Sequence, residues 1–181
     1  MKEWFYRFRG WLVAPPLLLA LFSTAGRVDR PWLCWGLGLA LFAAGVFVRL
    51  WAQEHLHYRL RAETALTRTG PYRRMRNPIY VGNTLIGAGL VATSGLLWLA
   101  LPTAAWFLGV YAVVVRFEEG VLEERYGEPY RRFVASIPRW WPRPGGGPLE
   151  LVNEHLGASV VAELHNLAFL LPFVVRALVL R

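Results

Sequence analysis

The chain is 181 residues long, about the size of one domain, and 55% of its residues are hydrophobic while 18% are charged. Soluble domains usually carry about a quarter charged residues, so this composition and the mean hydropathy of +0.33 predict a membrane protein. They exclude a disordered chain, a disulfide scaffold and a nucleic-acid-binding module. Only one cysteine is present, and the basic residues behind the net charge of +8 crowd at the ends of apolar segments.

Two apolar segments come first in chain order, and a helix needs about 20 apolar residues to cross a membrane. The first segment runs over residues 11–22, is lengthened by residues 4–8 and is interrupted by Pro15 and Pro16. Its composition is also that of a signal peptide. We expect a retained helix, because the second apolar segment, residues 32–52, follows at once.

The next stretch, residues 79–115, contains no charged residue, and its 37 residues would form a helix of roughly 55 Å. That length is too great for one crossing and sufficient for two, so we expect a helical hairpin that turns at Thr93-Ser94-Gly95. The last apolar segment, residues 159–180, includes four polar residues: Glu163, His165, Asn166 and Arg176. We expect it to span the membrane, and a place at the membrane interface is the alternative.

The sequence therefore predicts an all-α, polytopic membrane bundle of about five transmembrane helices. The third and fourth form a tight hairpin, and amphipathic helices follow it. In this arrangement sixteen basic residues lie on one side of the membrane and four on the other. The positive-inside rule places the N-terminus and both long loops in the cytoplasm, and we expect a prokaryotic cytoplasmic membrane.

We expect a single membrane domain over residues 1–181. Its parts are the first two spans (1–52), a central core that carries the candidate site (53–142) and a linker with a C-terminal helix (143–181). Because residues 142–148 are rich in glycine and proline, we expect the C-terminal helix to be the most dispensable part.

The segment before the third span combines a turn with a helix start. Gly70-Pro71 is a turn signal, Asn77 is a preferred N-cap residue, and Pro78 suits the first helical position. Three arginines precede this helix N-terminus: Arg73, Arg74 and Arg76. Free backbone N–H groups and guanidinium groups together form an anion site for a carboxylate, a phosphate or a lipid headgroup. The alternative is positive-inside arginines beside an ordinary helix cap.

A pair of carboxylates, Glu118 and Glu119, follows the apolar hairpin on the same side of the membrane. We expect the pair at the C-terminal end of the fourth span, where acidic residues oppose the helix dipole and are costly near hydrocarbon. A cation or a set of hydroxyl groups would be a suitable partner. The alternative is an ion pair with Arg76 or Arg116 on an amphipathic surface helix.

An anion site and a carboxylate pair at one end of a hairpin suit a zwitterionic ligand with a ribose and a positive centre. S-adenosylmethionine has these groups: a carboxylate, an ammonium, a sulfonium and a ribose diol. The glycine-rich loops of ATP-binding and Rossmann domains are absent from the sequence. We therefore expect S-adenosylmethionine as the cofactor and S-adenosylhomocysteine as the product.

From about Arg49 to Pro142 the sequence resembles the integral membrane methyltransferases of the isoprenylcysteine carboxyl methyltransferase family. It is also similar to the related phospholipid (phosphatidylethanolamine) N-methyltransferases. The resemblance rests on these elements: Gly70-Pro71-Tyr72, Arg76-Asn77-Pro78-x-Tyr80-x-Gly82, Glu118-Glu119-x-x-Leu122, Tyr126-Gly127-x-x-Tyr130 and Pro138-Arg139. It implies methyl transfer from S-adenosylmethionine to a lipid-like acceptor, with residues 53–142 as the cofactor-binding core.

The resemblance also implies roles for individual residues. The implied cofactor-binding residues are Tyr72, Arg73, Asn77, Pro78, Tyr80, Gly82, Glu118, Glu119 and Tyr130. Tyr80 would lie by the nucleoside, Gly82 would permit close approach, and Glu119 more than Glu118 would reach the cofactor. Arg76 would orient the anionic group of the acceptor, so Arg76 and Glu119 are the expected catalytic residues.

The acceptor stays open between a prenylcysteine-like carboxylate and a phospholipid amine. The isoprenylcysteine enzymes commonly have His where this sequence has Asn77, which weakens the first choice. The alternative function is a non-catalytic lipid-binding scaffold, and the few predicted spans disfavour a transporter. No metal is expected, because His55 and His57 would point apart on a helix. The expected partners are a membrane lipid and the bilayer, and no nucleic acid.

Overall fold

The computed structural model describes residues 2–61, 66–145, 150–151 and 156–179, and for residues 2 and 57–61 it describes the backbone alone. All regular elements in these residues are helices, which confirms the predicted all-α class. The elements are α1 (Lys2–Arg7), α2 (Arg9–Leu12), α3 (Ala14–Phe22), α4 (Pro31–Arg61), a 3₁₀ helix (Gly70–Arg73), α5 (Pro78–Thr93), α6 (Leu97–Tyr126), α7 (Glu128–Ser136), α8 (Leu156–Glu163), α9 (His165–Ala168) and α10 (Leu171–Val179).

Three helical stretches among the described residues are long and apolar enough to cross a membrane: Pro31–Leu56, Leu97–Tyr126 and Leu156–Val179. Helix α5 is a shorter apolar helix. The protein is therefore an integral membrane protein. The five predicted segments correspond to α1–α3, α4, α5, α6 and α8–α10. The first of them is broken at Phe8 and Val13, just before the two prolines in the first turn of α3.

Helices α4 and α5 pack with their backbones in contact because glycines face each other across the interface. A Cβ atom on Gly45 of α4 would lie 2.6 Å from the carbonyl oxygen of Gly82 on α5. A Cβ atom on Gly89 of α5 would lie 2.7 Å from the carbonyl oxygen of Gly38 on α4. Small residues permit this close approach in membrane bundles. Any larger side chain at these positions would push the two helices apart.

The predicted hairpin of α5 and α6 is present, and its turn lies where the sequence placed it. Helix α5 ends at Thr93, α6 begins at Leu97, and Gly95 between them has a φ of +87°, a backbone conformation that favours glycine. At the other end of the hairpin α5 begins at Pro78, with Asn77 at the N-cap position. The Asn77 side chain makes no capping hydrogen bond. Its Nδ2 instead donates to the carbonyl oxygen of Arg139 at 3.2 Å.

The prediction that Glu118 and Glu119 end the fourth span is wrong. Helix α6 continues without a break to Tyr126 and ends at Gly127, whose φ is +56°. The residues after the apolar run are good helix formers, so the helix extends about two turns beyond the carboxylates. The dipole of the helix C-terminus therefore lies away from them, and their surroundings are set by the side chains packed against α6.

The C-terminal segment α8–α10, which the sequence predicts to be the most dispensable part, is joined to the rest of the bundle by two charged side chains among the described residues. Glu163 of α8 forms a buried ion pair with Arg49 of α4. Farther along the segment, the guanidinium group of Arg176 donates to three main-chain carbonyl oxygens at 2.6–3.0 Å, those of Leu21, Ser23 and Ser94. The segment therefore packs as part of the bundle.

Candidate functional site

A cavity of about 620 Å³ opens between the N-terminal helices, α4, the start of α5 and the C-terminal third of α6. That volume is in the range of sites for small organic ligands and cofactors. Its wall is formed by Tyr6, Arg9, Arg49, Gln53, Leu56, Tyr72, Arg76, Asn77, Pro78, Ile79, Tyr80, Asn83, Phe117, Glu118, Val121 and Leu122. The wall combines apolar side chains with three arginines and one carboxylate.

Arg76 lies at the wall of the cavity, and two of its side-chain nitrogen atoms have no hydrogen-bond acceptor among the described residues. Its backbone N–H donates to the carbonyl oxygen of Pro138 at 2.9 Å, which fixes the loop before α5. Its side chain is 10% exposed, and Nη1 lies 3.3 Å from Oε1 of Glu119. Neither Nε nor Nη1 of Arg76 has a hydrogen-bond acceptor among the described residues. Buried donors of this kind call for an acceptor, and an anionic ligand would supply one.

Glu119 is held between two arginines. Arg139 donates from Nη2 to Oε2 at 2.5 Å and from Nε to Oε1 at 3.2 Å, a bidentate arrangement. With Arg76 on its other side and only 15% of its side chain exposed, the Glu119 carboxylate is charge-balanced within the protein. Glu119 therefore connects α6 to the loops that carry Arg76 and Arg139.

Glu118 faces the cavity. The hydroxyl group of Tyr80 donates to Oε1 of Glu118 at 2.7 Å, so a residue of α5 orients a carboxylate of α6. The Tyr80 ring packs against the ring of Tyr111, with 4.6 Å between their centroids. Because both residues of the hydrogen bond lie at the cavity wall, Glu118 presents a negative group to a ligand there.

Tyr130 of α7 lies buried near the arginine–glutamate cluster of Arg76, Glu119 and Arg139, and only 3% of it is exposed. Burial and, to a smaller extent, the Glu119 carboxylate raise the pKa of Tyr130 to about 12, against the smaller opposing effects of Arg76 and Arg139. The phenol therefore keeps its proton at neutral pH. Its ring packs with Phe133 and Ile137 in a small hydrophobic cluster.

The structure brings one group of the predicted site residues to the cavity wall and places the others nearby. The residues at the wall are Tyr72, Arg76, Asn77, Pro78, Tyr80 and Glu118. Glu119 and Tyr130 lie behind it. Arg73 points to another surface, where its Nη1 lies 3.3 Å from Oε1 of Glu150. Gly82 faces α4, where a Cβ atom would lie 2.6 Å from Cγ of Arg49.

Several residues of the cavity wall are not among the predicted site residues, and Arg49 and Asn83 are two of them. Arg49 donates to both oxygens of Glu163 and to Oδ1 of Asn83. A signal was present in the sequence, since Arg49 and Glu163 are opposite charges in two separate apolar segments. Intramembrane charges are costly and usually paired, so the two residues could have been matched.

His55, considered for metal binding, has other partners. Its Nδ1 lies 2.8 Å from Oγ1 of Thr69, and its Nε2 lies 3.1 Å from the carbonyl oxygen of Glu150. The side chain of His57 lies outside the described residues. No group of three or more His, Cys, Asp or Glu side chains suited to a metal ion is found in the part of the chain that the structure describes.

The phospholipid methyltransferase family model matches residues 33–129, which run from α4 to the start of α7. The chain belongs to the phospholipid methyltransferase family. The resemblance inferred from the sequence is thereby confirmed. The match includes the loop before α5, the hairpin and the Glu118-Glu119 pair. The N-terminal helices and α8–α10 lie outside it.

Two curated relatives share 30% identity with this member of the phospholipid methyltransferase family. One is the nickel-cobalt-cadmium resistance protein NccN of Alcaligenes xylosoxydans xylosoxydans, with 135 aligned residues that cover 73% of this chain and 62% of the relative. The other is the cobalt-zinc-cadmium resistance protein CzcN of Cupriavidus metallidurans, with 142 aligned residues that cover 76% and 64%. The chain thus spans less than two thirds of the length of either relative. No solved structure matches it.

Proposed function

We propose that the protein transfers a methyl group from S-adenosylmethionine to a lipid-like acceptor in the cavity between α4, α5 and α6. The observation that carries the proposal is that a positive and a negative side chain lie at the same cavity wall. Arg76 offers buried donors that have no acceptor in the part of the chain that the structure describes, and Glu118 offers a carboxylate. A zwitterionic ligand needs donors for its negative group and a carboxylate for its positive group. Membership of the phospholipid methyltransferase family supports the reaction class.

The residues present fit the proposed cofactor. Arg76 would bind its amino-acid carboxylate, and Glu118 would bind its ammonium group or the ribose hydroxyls. Tyr72, Asn77 and Tyr80 would complete the wall around the nucleoside. Glu119 lies behind the wall and would hold Arg76 in place, because it pairs with both Arg76 and Arg139. Tyr130 would support the site through its packing with Phe133 and Ile137. Arg73 and Gly82 would contribute to the fold around the site.

When bound, S-adenosylmethionine supplies an activated methyl group. The remaining work of the protein is to align the acceptor with that group and to exclude water. Leu56, Ile79 and Val121 supply the apolar part of the wall. A carboxylate acceptor needs no base. An amine acceptor must lose a proton, and Glu118 is the carboxylate at the wall that would accept it.

We further propose that the site faces the cytoplasm, since the arginine-rich loops lie at this end of α5. The cofactor would enter from that side, and the acceptor would enter from the bilayer between helices. The acceptor would be a prenylcysteine-like carboxylate or a phospholipid amine.

Calorimetric titration of the detergent-purified protein with S-adenosylhomocysteine tests the proposal. We expect saturable binding that weakens about tenfold or more in Arg76→Gln and Glu118→Gln, because each change removes one charged hydrogen-bond partner. Glu128→Gln on α7 is the matched control, since Glu128 is exposed and pairs with surface arginines. A folded wild-type protein that shows no saturation would refute the proposal and favour the lipid-binding scaffold.

A further inference from the structure

A buried ion pair links the C-terminal segment to the wall of the cavity. Nε and Nη2 of Arg49 lie 2.6 Å and 2.9 Å from the two carboxylate oxygens of Glu163, a bidentate arrangement. The side chains are only 10% and 2% exposed. The two residues are 114 positions apart in the chain, and Glu163 lies outside the family match.

The hydrogen bonds around this pair satisfy Glu163 more fully than Arg49. Asn166 donates from Nδ2 to Oε2 of Glu163 at 2.5 Å, in addition to the two bonds from Arg49. Arg49 has five N–H groups, and three of them reach Glu163 and Asn83. Among the described residues no acceptor is found for the other two N–H groups of Arg49, on Nη1 and Nη2, so these groups can donate to a ligand at the cavity wall, which Arg49 helps to form.

The same pair is connected to the carboxylate that faces the cavity. The Asn83 side chain lies beside the hydroxyl group of Tyr111 and accepts from Arg49. The Tyr111 ring packs on Tyr80, and Tyr80 orients Glu118. Glu163 of α8 is therefore at one end of a continuous set of polar and ring contacts that reaches the proposed reaction site.

A buried ion pair costs desolvation energy, so packing alone is a weak reason for its presence. Arg49 lies within the apolar stretch Pro31–Leu56, and its Cγ packs at Gly82, one turn inside α5. It is thus deeper in the apolar part of the bundle than Arg76 and Asn77, which precede α5. That depth suits the lipid acceptor rather than the water-soluble cofactor.

We propose that Glu163 is a positioning residue that holds Arg49 at the cavity wall, where Arg49 donates hydrogen bonds to the polar head of the lipid acceptor. Because Glu163 cancels the charge of Arg49, the pair offers N–H donors without net charge. The segment α8–α10 then forms part of the acceptor site. This inference rests on the proposed function for the existence of an acceptor.

The test compares Glu163→Gln with Arg176→Gln in the full-length protein. The first change keeps the shape of the side chain but places an amide N–H₂ against the guanidinium group, so Arg49 loses its fixed position. The second change removes the hydrogen bonds from another side chain of the same segment to three main-chain carbonyl oxygens away from the cavity. It therefore controls for loosening of the segment alone.

Two probes stand for the two acceptor classes, phosphatidylethanolamine for the amine and oleate for the carboxylate. Binding of each to delipidated protein in detergent is measured by native mass spectrometry, and binding of S-adenosylhomocysteine is measured by calorimetry. We expect Glu163→Gln to weaken binding of at least one lipid about tenfold, while binding of S-adenosylhomocysteine stays within about twofold of wild type. We expect Arg176→Gln to bind both lipids as the wild type does.

Equal lipid binding by the wild type and Glu163→Gln would overturn the inference, and so would equal loss in Glu163→Gln and Arg176→Gln. If Glu163→Gln does not fold, the double variant Arg49→Gln/Glu163→Gln replaces it, because it buries no unpaired charge. Wild-type lipid binding by the double variant would also overturn the inference. Failure of the wild type to bind S-adenosylhomocysteine is a separate result that refutes the proposed function.

Discussion

The hydrogen bond between Tyr80 and Glu118 can be removed almost alone by Tyr80→Phe. The hydroxyl group donates to Oε1 of Glu118 at 2.7 Å, and the substitution deletes that one oxygen atom. The ring keeps its packing against Tyr111, whose centroid is 4.6 Å away. The variant therefore changes the orientation of the carboxylate with little change in the packing of α5 on α6.

The size of the effect follows from the kind of bond. A hydrogen bond to a charged group contributes about 1.5–3 kcal/mol, and 1.4 kcal/mol corresponds to about tenfold in affinity. The bond forms with and without ligand, so only the part of its energy that holds Glu118 in the binding orientation counts towards affinity, and the lower end of the range applies. We expect Tyr80→Phe to bind S-adenosylhomocysteine about tenfold more weakly.

Calorimetric titration of purified wild type and Tyr80→Phe measures this difference. Tyr126→Phe is a matched control, because it deletes the same atom from a tyrosine at the end of α6, outside the cavity wall. Tyr80→Phe affinity within about twofold of the wild type would show that orientation of Glu118 by Tyr80 does not contribute to binding.

Three further predictions concern packing and charge. Arg139→Gln leaves Glu119 without its bidentate partner, and we expect a loss of about 1–2 kcal/mol in stability, seen as a lower thermal unfolding midpoint in detergent. Gly45→Val places Cβ 2.6 Å from a backbone oxygen of α5 and should cost about 1–3 kcal/mol, whereas Gly36→Val meets no atom within 4 Å and should unfold like wild type. The pKa of Tyr130 is raised from 10 to about 12. The neutral phenol therefore contributes to the free energy of unfolding fully below pH 10, and this contribution is lost as the pH rises towards 12. Tyr130→Phe should remove that part of the pH dependence, and an unchanged curve would contradict the burial argument.

Local chemistry made the hairpin predictable. A proline can occupy the first helical position without losing a hydrogen bond, and Pro78 begins α5. Glycine adopts positive φ at little cost, and Gly95 makes the turn. Both signals act over a few residues, so no knowledge of the remaining chain was needed. The end of α6 was missed because the apolar run stops at Val115, whereas helical backbone continues through the charged residues to Tyr126.

The candidate site was predictable in part for the same reason. Tyr72, Arg76, Asn77, Pro78 and Tyr80 lie within nine residues of one another and reach the cavity wall together. The sequence could not show which carboxylate of the Glu118-Glu119 pair faces the cavity. Glu118 and Glu119 differ by about 100° around α6, and their directions depend on how α6 packs against the loops that carry Arg76 and Arg139.

The sequence by itself determined that this is an all-helical membrane protein with a hairpin, because hydropathy, helix starts and turns are local properties. It also predicted the arginine–glutamate candidate site. Only the tertiary structure decided that Arg49 and Glu163 form one pair at the cavity wall, since their partnership requires α4 and α8 to pack together. A charge in an apolar helix demands a partner, but helix packing selects which one.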